Sequence, residues 1–368
     1  MRIVIKVGTN VLRGGTEGIH RPRLIDLARQ IARLSELEHE PVLVSSGAVF
    51  AGQELLGVMP PKRKKYIPHR QMLAAVGQGR LLALYQQIFE MYSLKVAQAL
   101  LTRGDLDNRN RYLNARNSML LLLKHRVVPI INENDVVAVE EIKFGDNDNL
   151  SALVANLINA DLLVILTDQK GLFTADPRRD DSAKLIPEVK TIDDTILAMA
   201  TGGGHVGMGG MTTKLEAAQF ATRSGTDVVI ALGSEPDVIL RVVEGQAIGT
   251  RFPTQLSHVE SRKRWILTER VQGTIIVDSG AEKALVKSGT SLLAVGIVEV
   301  KGDFPRGATV SVLNINGQEL GRGVANYKAP DLQVISGQQS HHIARILGYD
   351  YGATVIHRDD MVIQRFGE

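Results

Sequence analysis

The sequence predicts an α/β fold, an open and mainly parallel sheet sandwiched by helices, followed by a small mixed-β domain. Two observations carry this. Over residues 1–255, continuous apolar runs of strand length alternate with longer segments of helical periodicity. From about residue 272 the pattern changes to short β-branched runs separated by glycine-rich turns. At 368 residues the chain is long enough for two domains of ordinary size.

In the first part, "RIVIKVG" (2–8), "PVLVSSG" (41–47), "VVPIINEND" (127–135), "LLVILTD" (162–168) and "DVVIALGS" (227–234) read as strands. Their unbroken apolar character is expected of strands buried on both faces. Helix-length segments lie between them. In "RPRLIDLARQIARLSELE", for example, Leu24, Leu27, Ile31 and Leu34 fall on one stripe. Alternation of this kind is the signature of parallel strands joined by helical crossovers. In the tail, "GTIIVD", "SLLAVGIVEVKG", "TVSVLN", "LGRGVANY" and "ATVIHRDDMVI" read as short strands, with Asn316-Gly317 as a hairpin turn. The polar, irregular stretch around 252–265 marks the joint. The expected division is a first domain over 1–255, a linker over 256–271 and a second domain over 272–368.

Composition narrows the class. Apolar residues make up 44% and charged residues 23%, the balance of a globular chain and not of a disordered one. With no cysteine, disulfides and thiolate metal sites are excluded. Lys6 interrupts the N-terminal apolar run and nothing resembles a signal peptide or a membrane span, which predicts a cytoplasmic protein with no membrane partner. Lys+Arg total 43 against 40 Asp+Glu, and neither half of the chain is strongly basic. That argues against nucleic acid as a partner.

In an open parallel sheet, ligands bind beyond the carboxyl ends of the strands. Here those ends carry Lys6, Gly8 and Thr9; Ser45, Ser46 and Gly47; Asn132, Asn134 and Asp135; and Thr167 and Asp168. Small or polar residues are also common wherever strands meet turns. Lys6 is more telling, because an unpaired ammonium inside an apolar strand is costly to bury. The alternative is a lysine at a sheet edge with its charge in solvent. A glycine-rich run, "TGGGHVGMGGMTTKLEAA" (201–218), formally contains G-x-G-x-x-G but follows a helical pattern instead of a strand, so it is not a dinucleotide fingerprint. It reads as a loop entering a helix near Thr212, Thr213 and Lys214, where free amides and a lysine charge suit phosphates. A plain surface loop is the other reading. Finally, "EIKFGDNDNLSALV" (141–154) packs two aspartates and two asparagines ahead of a helix face made by Leu150, Leu153, Val154, Leu157 and Ile158. One such side chain caps a helix. Four point to a ligand, with the Asn147 and Asn149 amides available to a zwitterion and Asp148 to cations.

These stretches resemble the amino-acid kinase superfamily and, within it, the glutamate 5-kinases. The resemblance rests on "KVGTNVL" (6–12), "SSGAV" (45–49), "LLTR" (100–103), "INENDVV" (131–137), "GDNDNLSA" (145–152), "TDQKGLFTADPR" (167–178) and "GGMTTKLEAA" (209–218). The tail from about 272 to 350 resembles a PUA domain, and "LGYDYGATVIHRDDMV" fits the bacterial members.

The resemblance implies an amino-acid kinase fold and ATP-dependent phosphorylation of the side-chain carboxylate of L-glutamate, the first step of proline biosynthesis. It implies Mg²⁺ as cofactor, proline as feedback inhibitor and a dimer or tetramer. By position, Ser46, Asp135 and Asn147, with Asn132 and Asp146, are implied in glutamate binding. Lys6, Gly8, Thr167 and Asp168, with Met208, Gly209, Gly210, Met211, Thr212, Thr213 and Lys214, are implied in ATP binding. Lys6 and Lys214 would flank the transferred phosphoryl group, and Asp148 would hold both lysines. One position departs from the family: its loop usually reads Gly-Thr-Gly-Gly-Met, and Met208 stands in the threonine's place.

The chemistry agrees with those roles. A glutamate side chain has a pKa of about 4.3, so at neutral pH the nucleophile is already ionised. No general base is needed, only positioning and charge neutralisation. No metal ligands are evident in the sequence; hard cations are often held by phosphates and water.

Two other readings compete. RNA binding through the tail draws on the basic runs "PPKRKKYIPHR" (60–70) and "SRKRW" (261–265), which read equally as solvated charged faces, and no row of stacking aromatics is evident. A regulatory sensor without catalysis is opposed by the presence of both lysines and the "GDNDN" turn. His341, His342 and His357 read as structural or surface residues, because adjacent histidines diverge on a helix or strand.

Overall fold

The computed structural model describes residues 1–58, 66–138, 147–201, 210–254 and 257–363. It divides into two compact units, Met1–Asp107 with Asn114–Ser257, and Asn108–Leu113 with His258–Glu368.

The first unit is built on a seven-stranded sheet. Its strands are β1 (Arg2–Val7), β2 (Glu40–Ser45), β3 (Lys95–Leu101), β4 (Val127–Glu133), β5 (Leu162–Thr167), β6 (Asp227–Leu232) and β7 (Thr250–Phe252). They lie in the order β3-β4-β2-β1-β5-β6-β7, parallel except for β7. The helices are α1 (Thr9–Arg13), α2 (Arg21–Glu36), α3 (Ala48–Leu56), α4 (Ile67–Glu90), α5 (Arg103–Asp107), α6 (Arg109–Lys124), α7 (Asn147–Ile158), α8 (Asp194–Thr201), α9 (Met211–Arg223) and α10 (Val238–Val243). The predicted stripe of α2 is its buried face: Leu24, Leu27, Ile31 and Leu34 are all in the core.

β3 escaped the sequence reading. It is an edge strand with Lys95 and Gln98 exposed, so no continuous apolar run announces it. β7 is only three residues long and antiparallel, too short for a pattern to register.

β1 sits in the middle of the sheet, between β2 and β5. Lys6 is paired in register with Val44 on one side and Ile165 on the other. This disposes of an edge position with the charge in solvent: Lys6 is 4% exposed.

Beside the sheet, α3 and α4 touch backbone to backbone. A Cβ on Gly77 would fall 1.8 Å from the Ala48 carbonyl oxygen, and one on Gly52 would fall 2.0 Å from that of Leu73. Only glycine permits this approach, which sets the two helices antiparallel, with Gly77 beside Ala48 at the start of α3 and Leu73 beside Gly52. α3 itself begins from Gly47, whose φ of 101° disfavours any residue with a Cβ. Farther along α4, the Tyr85 hydroxyl lies 2.8 Å from Ser45 Oγ, and burial pushes the phenol's pKa up. Tyr85 and Phe89 anchor α4 in the core that also contains Ile3, Ile5 and Leu43.

The second unit holds β8 (Gly273–Val277), β9 (Leu292–Leu293), β10 (Ile297–Lys301), β11 (Thr309–Asn314), β12 (Glu319–Val324), β13 (Thr354–Ile356) and β14 (Met361–Ile363). Its helices are α11 (His258–Thr268), α12 (Ser279–Ser288), α13 (Ala329–Ile335) and α14 (Ile343–Leu347). Five strands form one sheet in the order β10-β8-β11-β12-β14, with β8 and β11 parallel and the other pairs antiparallel; β13 and β9 pair separately. The sheet is mixed, as the sequence indicates. Gly317, at φ 81°, sits in the expected β11–β12 turn and donates to the Asn314 carbonyl at 3.0 Å. Asp278 caps α12 by accepting from the Ala281 amide at 2.7 Å.

The stretch expected to be an irregular joint contains α11 instead. Its high polar content masked a helix that contacts β12 and β14 and buries Ile266 completely. The unit also gathers three tyrosines that sequence reading left apart. Tyr351 lies 5.6 Å from Tyr327 and 5.5 Å from Tyr349 between ring centroids, and the Arg306 guanidinium sits 3.5 Å over the Tyr351 ring. The Tyr349 hydroxyl donates to Asp331 at 2.6 Å and that of Tyr327 to the Gly352 carbonyl at 2.7 Å, so this cluster is fixed by its own hydrogen bonds.

Replacing Gly77 with alanine forces α3 and α4 apart. The substitution is expected to lower stability by about 1–3 kcal/mol, seen as a lower denaturant midpoint; an unchanged midpoint refutes the close approach.

Candidate active site

Lys6, on the penultimate position of β1, reaches the carboxylate of Asp148 in an ion pair. Asp148 is the second residue of α7 and is fully buried. Its other oxygen accepts from Lys214 Nζ at 3.0 Å, and the Thr213 hydroxyl lies 3.0 Å from that same oxygen. Lys214 and Thr213 belong to the first turn of α9. The lysine side chains are 6% and 10% exposed. Burying one charge unpaired is costly, and it is the convergence of three that makes the arrangement tolerable. Gly8 is immediately adjacent: a Cβ there would lie 3.7 Å from Lys6 Nζ, so its backbone flanks the ammonium.

Asn147, next to Asp148, is held from three directions. Its side-chain amide donates to the Ser45 carbonyl at 3.1 Å, to Ser46 Oγ at 3.1 Å and to Asn132 Oδ1 at 2.8 Å. Asn132 donates in turn to Gln78 Oε1 on α4 at 2.7 Å. The ends of β2 and β4 are thereby tied to the start of α7. The polar run expected to form a capping turn is partly helix: Asn147, Asp148 and Asn149 make the first turn of α7, where short polar side chains and negative charge complement the helix dipole. Asn149 points to solvent and takes no part in the cluster, contrary to expectation, because helical rotation carries it to the opposite face from Asn147 and Asp148.

Two cavities flank this centre. The first is lined by Thr9, Ser46, Asn132, Asp135 and Asn147, with Gly47 to Phe50, Glu133 and Arg70. The second is lined by Asn10, Thr167 and Asp168, with Val11, Gly14, Gly15, Arg23, Leu232 and Ser234. They draw on opposite sides of β1 in the sheet order, β2 and β4 for the first and β5 and β6 for the second. Successive residues of α1 serve them, Thr9 the first and Asn10 the second.

In the second cavity, burial alone would raise the pKa of Asp168. Hydrogen bonds from Asn10 at 3.1 Å and from Thr167 at 3.1 Å, with the charge of Lys214, outweigh it and hold the carboxyl below its ordinary value. Gly210, Met211 and Thr212 lead into the same turn of α9 as Thr213 and Lys214. Asp146, Met208 and Gly209 lie outside the described residues. So does most of the basic run 60–70. Its last residue, Arg70, lines the first cavity instead of a solvated face. Sequence reasoning also passed over Glu133, Gln78 and Asn10. Glu133 and Asn10 stood inside the recognised "INEND" and "KVGTNVL" blocks, but nothing in the local pattern of Asn10 or Gln78 marks a partner some 158 or 54 positions away.

Among the described residues no group of three or more histidine, aspartate or glutamate side chains is arranged to hold a metal ion. A divalent cation would fit here only as an ion carried on phosphates with its own waters.

Comparison with known proteins gives the family. The amino acid kinase family model matches residues 1–232, and the PUA domain model matches residues 273–347. A glutamate 5-kinase of Herpetosiphon aurantiacus is 56% identical over 98% of this chain and 98% of its own length. Those of Deinococcus radiodurans and Vibrio campbellii are 54% and 51% identical, covering 99% and 98% of this chain and 100% and 95% of their own. The chain belongs to the amino acid kinase family and, within it, to the glutamate 5-kinases.

Proposed function

We propose that this chain transfers the γ-phosphoryl group of ATP to the side-chain carboxylate of L-glutamate, giving L-glutamyl 5-phosphate and ADP. The convergence of Lys6 and Lys214 on Asp148, between two cavities, is the observation that carries the mechanism. Glutamate occupies the cavity of Ser46, Asn132, Asp135 and Asn147. ATP occupies that of Thr167 and Asp168, with its phosphates toward residues 210–214. A carboxylate oxygen attacks the γ-phosphorus as the bond to the β–γ bridging oxygen breaks, and that oxygen leaves on ADP with its electron pair.

The nucleophile carries its charge already, so no side chain need remove a proton. What opposes the reaction is the approach of one anion to another. Lys6 and Lys214 neutralise charge on the three equatorial oxygens, and their buried setting makes that neutralisation stronger than it would be in water. Asp148 positions both ammonium groups before substrate arrives, so little reorganisation remains for the transition state. Asn147, fixed by three acceptors, aligns the amino acid. Magnesium, carried on the phosphates of ATP, supplies further neutralisation of the phosphate tail.

The reaction is the first step of proline biosynthesis. In keeping with this role we read the chain as a cytoplasmic homo-oligomer inhibited by proline. No helix among the described residues is long and apolar enough to cross a membrane.

ADP release measured with L-glutamate, L-aspartate, N-acetyl-L-glutamate and UMP as acceptors is expected to favour L-glutamate clearly; equal or greater turnover with another acceptor overturns the assignment. Lys6→Ala and Lys214→Ala are each expected to lower kcat by roughly two to three orders of magnitude with a smaller change in glutamate KM. An unaltered kcat in either variant removes that lysine from the phosphoryl step. Asp135→Ala and Asn147→Ala are expected mainly to raise glutamate KM in saturation curves at fixed ATP, and a KM equal to that of the unaltered chain removes the residue from the glutamate cavity.

A further inference from the structure

Arg70 is the one cationic side chain among the described residues that line the first cavity. Neither Lys6 nor Lys214 lines it. Glu133 and Asp135 do, so the cavity carries charge of both signs. Arg70 is half-buried, and its guanidinium has no ion-pair or hydrogen-bond partner among the described residues.

Its placement is built by the fold. Arg70 begins the stripe of α4 that continues through Ala74, Gly77 and Leu81, all buried. The glycine contacts between α3 and α4 press that stripe against residues 48–52, with Gly77 beside Ala48 and Leu73 beside Gly52. Arg70, one turn before Leu73, lines the cavity together with residues 47–50. A second tie fixes the same turn: Gln71 donates from its side-chain amide to the Val136 carbonyl at 3.0 Å, joining it to the segment that carries Asp135. Gln78, two turns further on, holds Asn132 at 2.7 Å. Arg70 therefore belongs to a wall anchored at both ends to the β4 terminus.

We infer that Arg70 is a specificity-determining residue that binds the α-carboxylate of the amino-acid substrate. This rests on the glutamate reading above. Glutamate brings three charges into the site. The side-chain carboxylate must face the two lysines to be phosphorylated, and the ammonium is served by the acidic residues of the cavity. The α-carboxylate then needs a cation, and the fork of a guanidinium matches a carboxylate in shape and charge. The amides at the start of α3 border the same space, but they offer partial charges only.

The test compares L-glutamate with isoglutamine, in which the α-carboxylate is a neutral amide and the side-chain carboxylate is kept. Initial rates are measured for the full-length chain and for Arg70→Gln and Arg70→Lys. The unaltered chain is expected to prefer glutamate. Arg70→Gln is expected to lose roughly 10- to 100-fold in kcat/KM for glutamate, the worth of a charge-assisted hydrogen-bond pair, with little change for isoglutamine. Arg70→Lys is expected to keep part of the preference, since it keeps the charge and loses the fork. A preference for glutamate that survives in Arg70→Gln, or an equal loss for both acceptors, overturns the inference. Should Arg70→Gln prove inactive toward both, Arg70→Lys decides: a reduced preference for glutamate supports the assignment and an unreduced one overturns it. Failure of the unaltered chain to phosphorylate glutamate would instead sink the underlying reading, so the two failures are distinct.

Discussion

Two ammonium groups meeting on one buried carboxylate is the constraint around which the first unit is arranged. Lys6 comes from the central strand, Asp148 from the first turn of α7 and Lys214 from the first turn of α9. Three separate segments, up to 208 positions apart in sequence, must arrive together, because each charge is intolerable in that interior without the others. Both α7 and α9 open at the carboxyl edge of the sheet, so side chains in their first turns reach the end of β1. A lysine near the end of a buried central strand is thereby converted from a liability into a fixed electrostatic feature.

The sheet order turns that feature into a divided site. With β1 flanked by β2 and β5, polar residues at the ends of β2 and β4 collect on one side, and those of β5 and β6 on the other. α1, starting directly after β1, separates them. A reaction that joins two anions needs such a layout, with each reactant held in its own pocket and positive charge at the border. It does not need a proton acceptor, and none of the cluster's residues has to change protonation for the chemistry to proceed. Rigidity matters more, and the three hydrogen bonds of Asn147 and the glycine-mediated contact of α3 with α4 supply it.

The parts of this molecule that sequence makes legible are those with a local signature. A buried parallel strand is a continuous apolar run, and five of the seven strands of the first sheet were evident on that basis. β3 and β7 lacked the signature, one because its edge position leaves Lys95 and Gln98 in water, the other because three residues are too few. α11 was hidden by its polar content, since a helix with Ile266 fully buried amid many charged residues shows little periodicity. Asn149 belonged to a conspicuous cluster of polar residues, yet helical rotation carries it to solvent.

By itself, then, the sequence determined the alternation of strand and helix, the change of architecture near residue 272, and the anomaly of a lysine within an apolar strand. These are consequences of side-chain hydrophobicity acting over a few residues. The tertiary structure decided what that lysine meets, that Thr9 and Asn10 serve different cavities, and that Arg70, the end of an apparently solvated basic run, lines the wall of one. Partnerships of this kind depend on the packing distance between elements remote in the chain, here set by the absence of a side chain at Gly52 and Gly77. No local pattern encodes that distance, because it exists only once the helices are in contact.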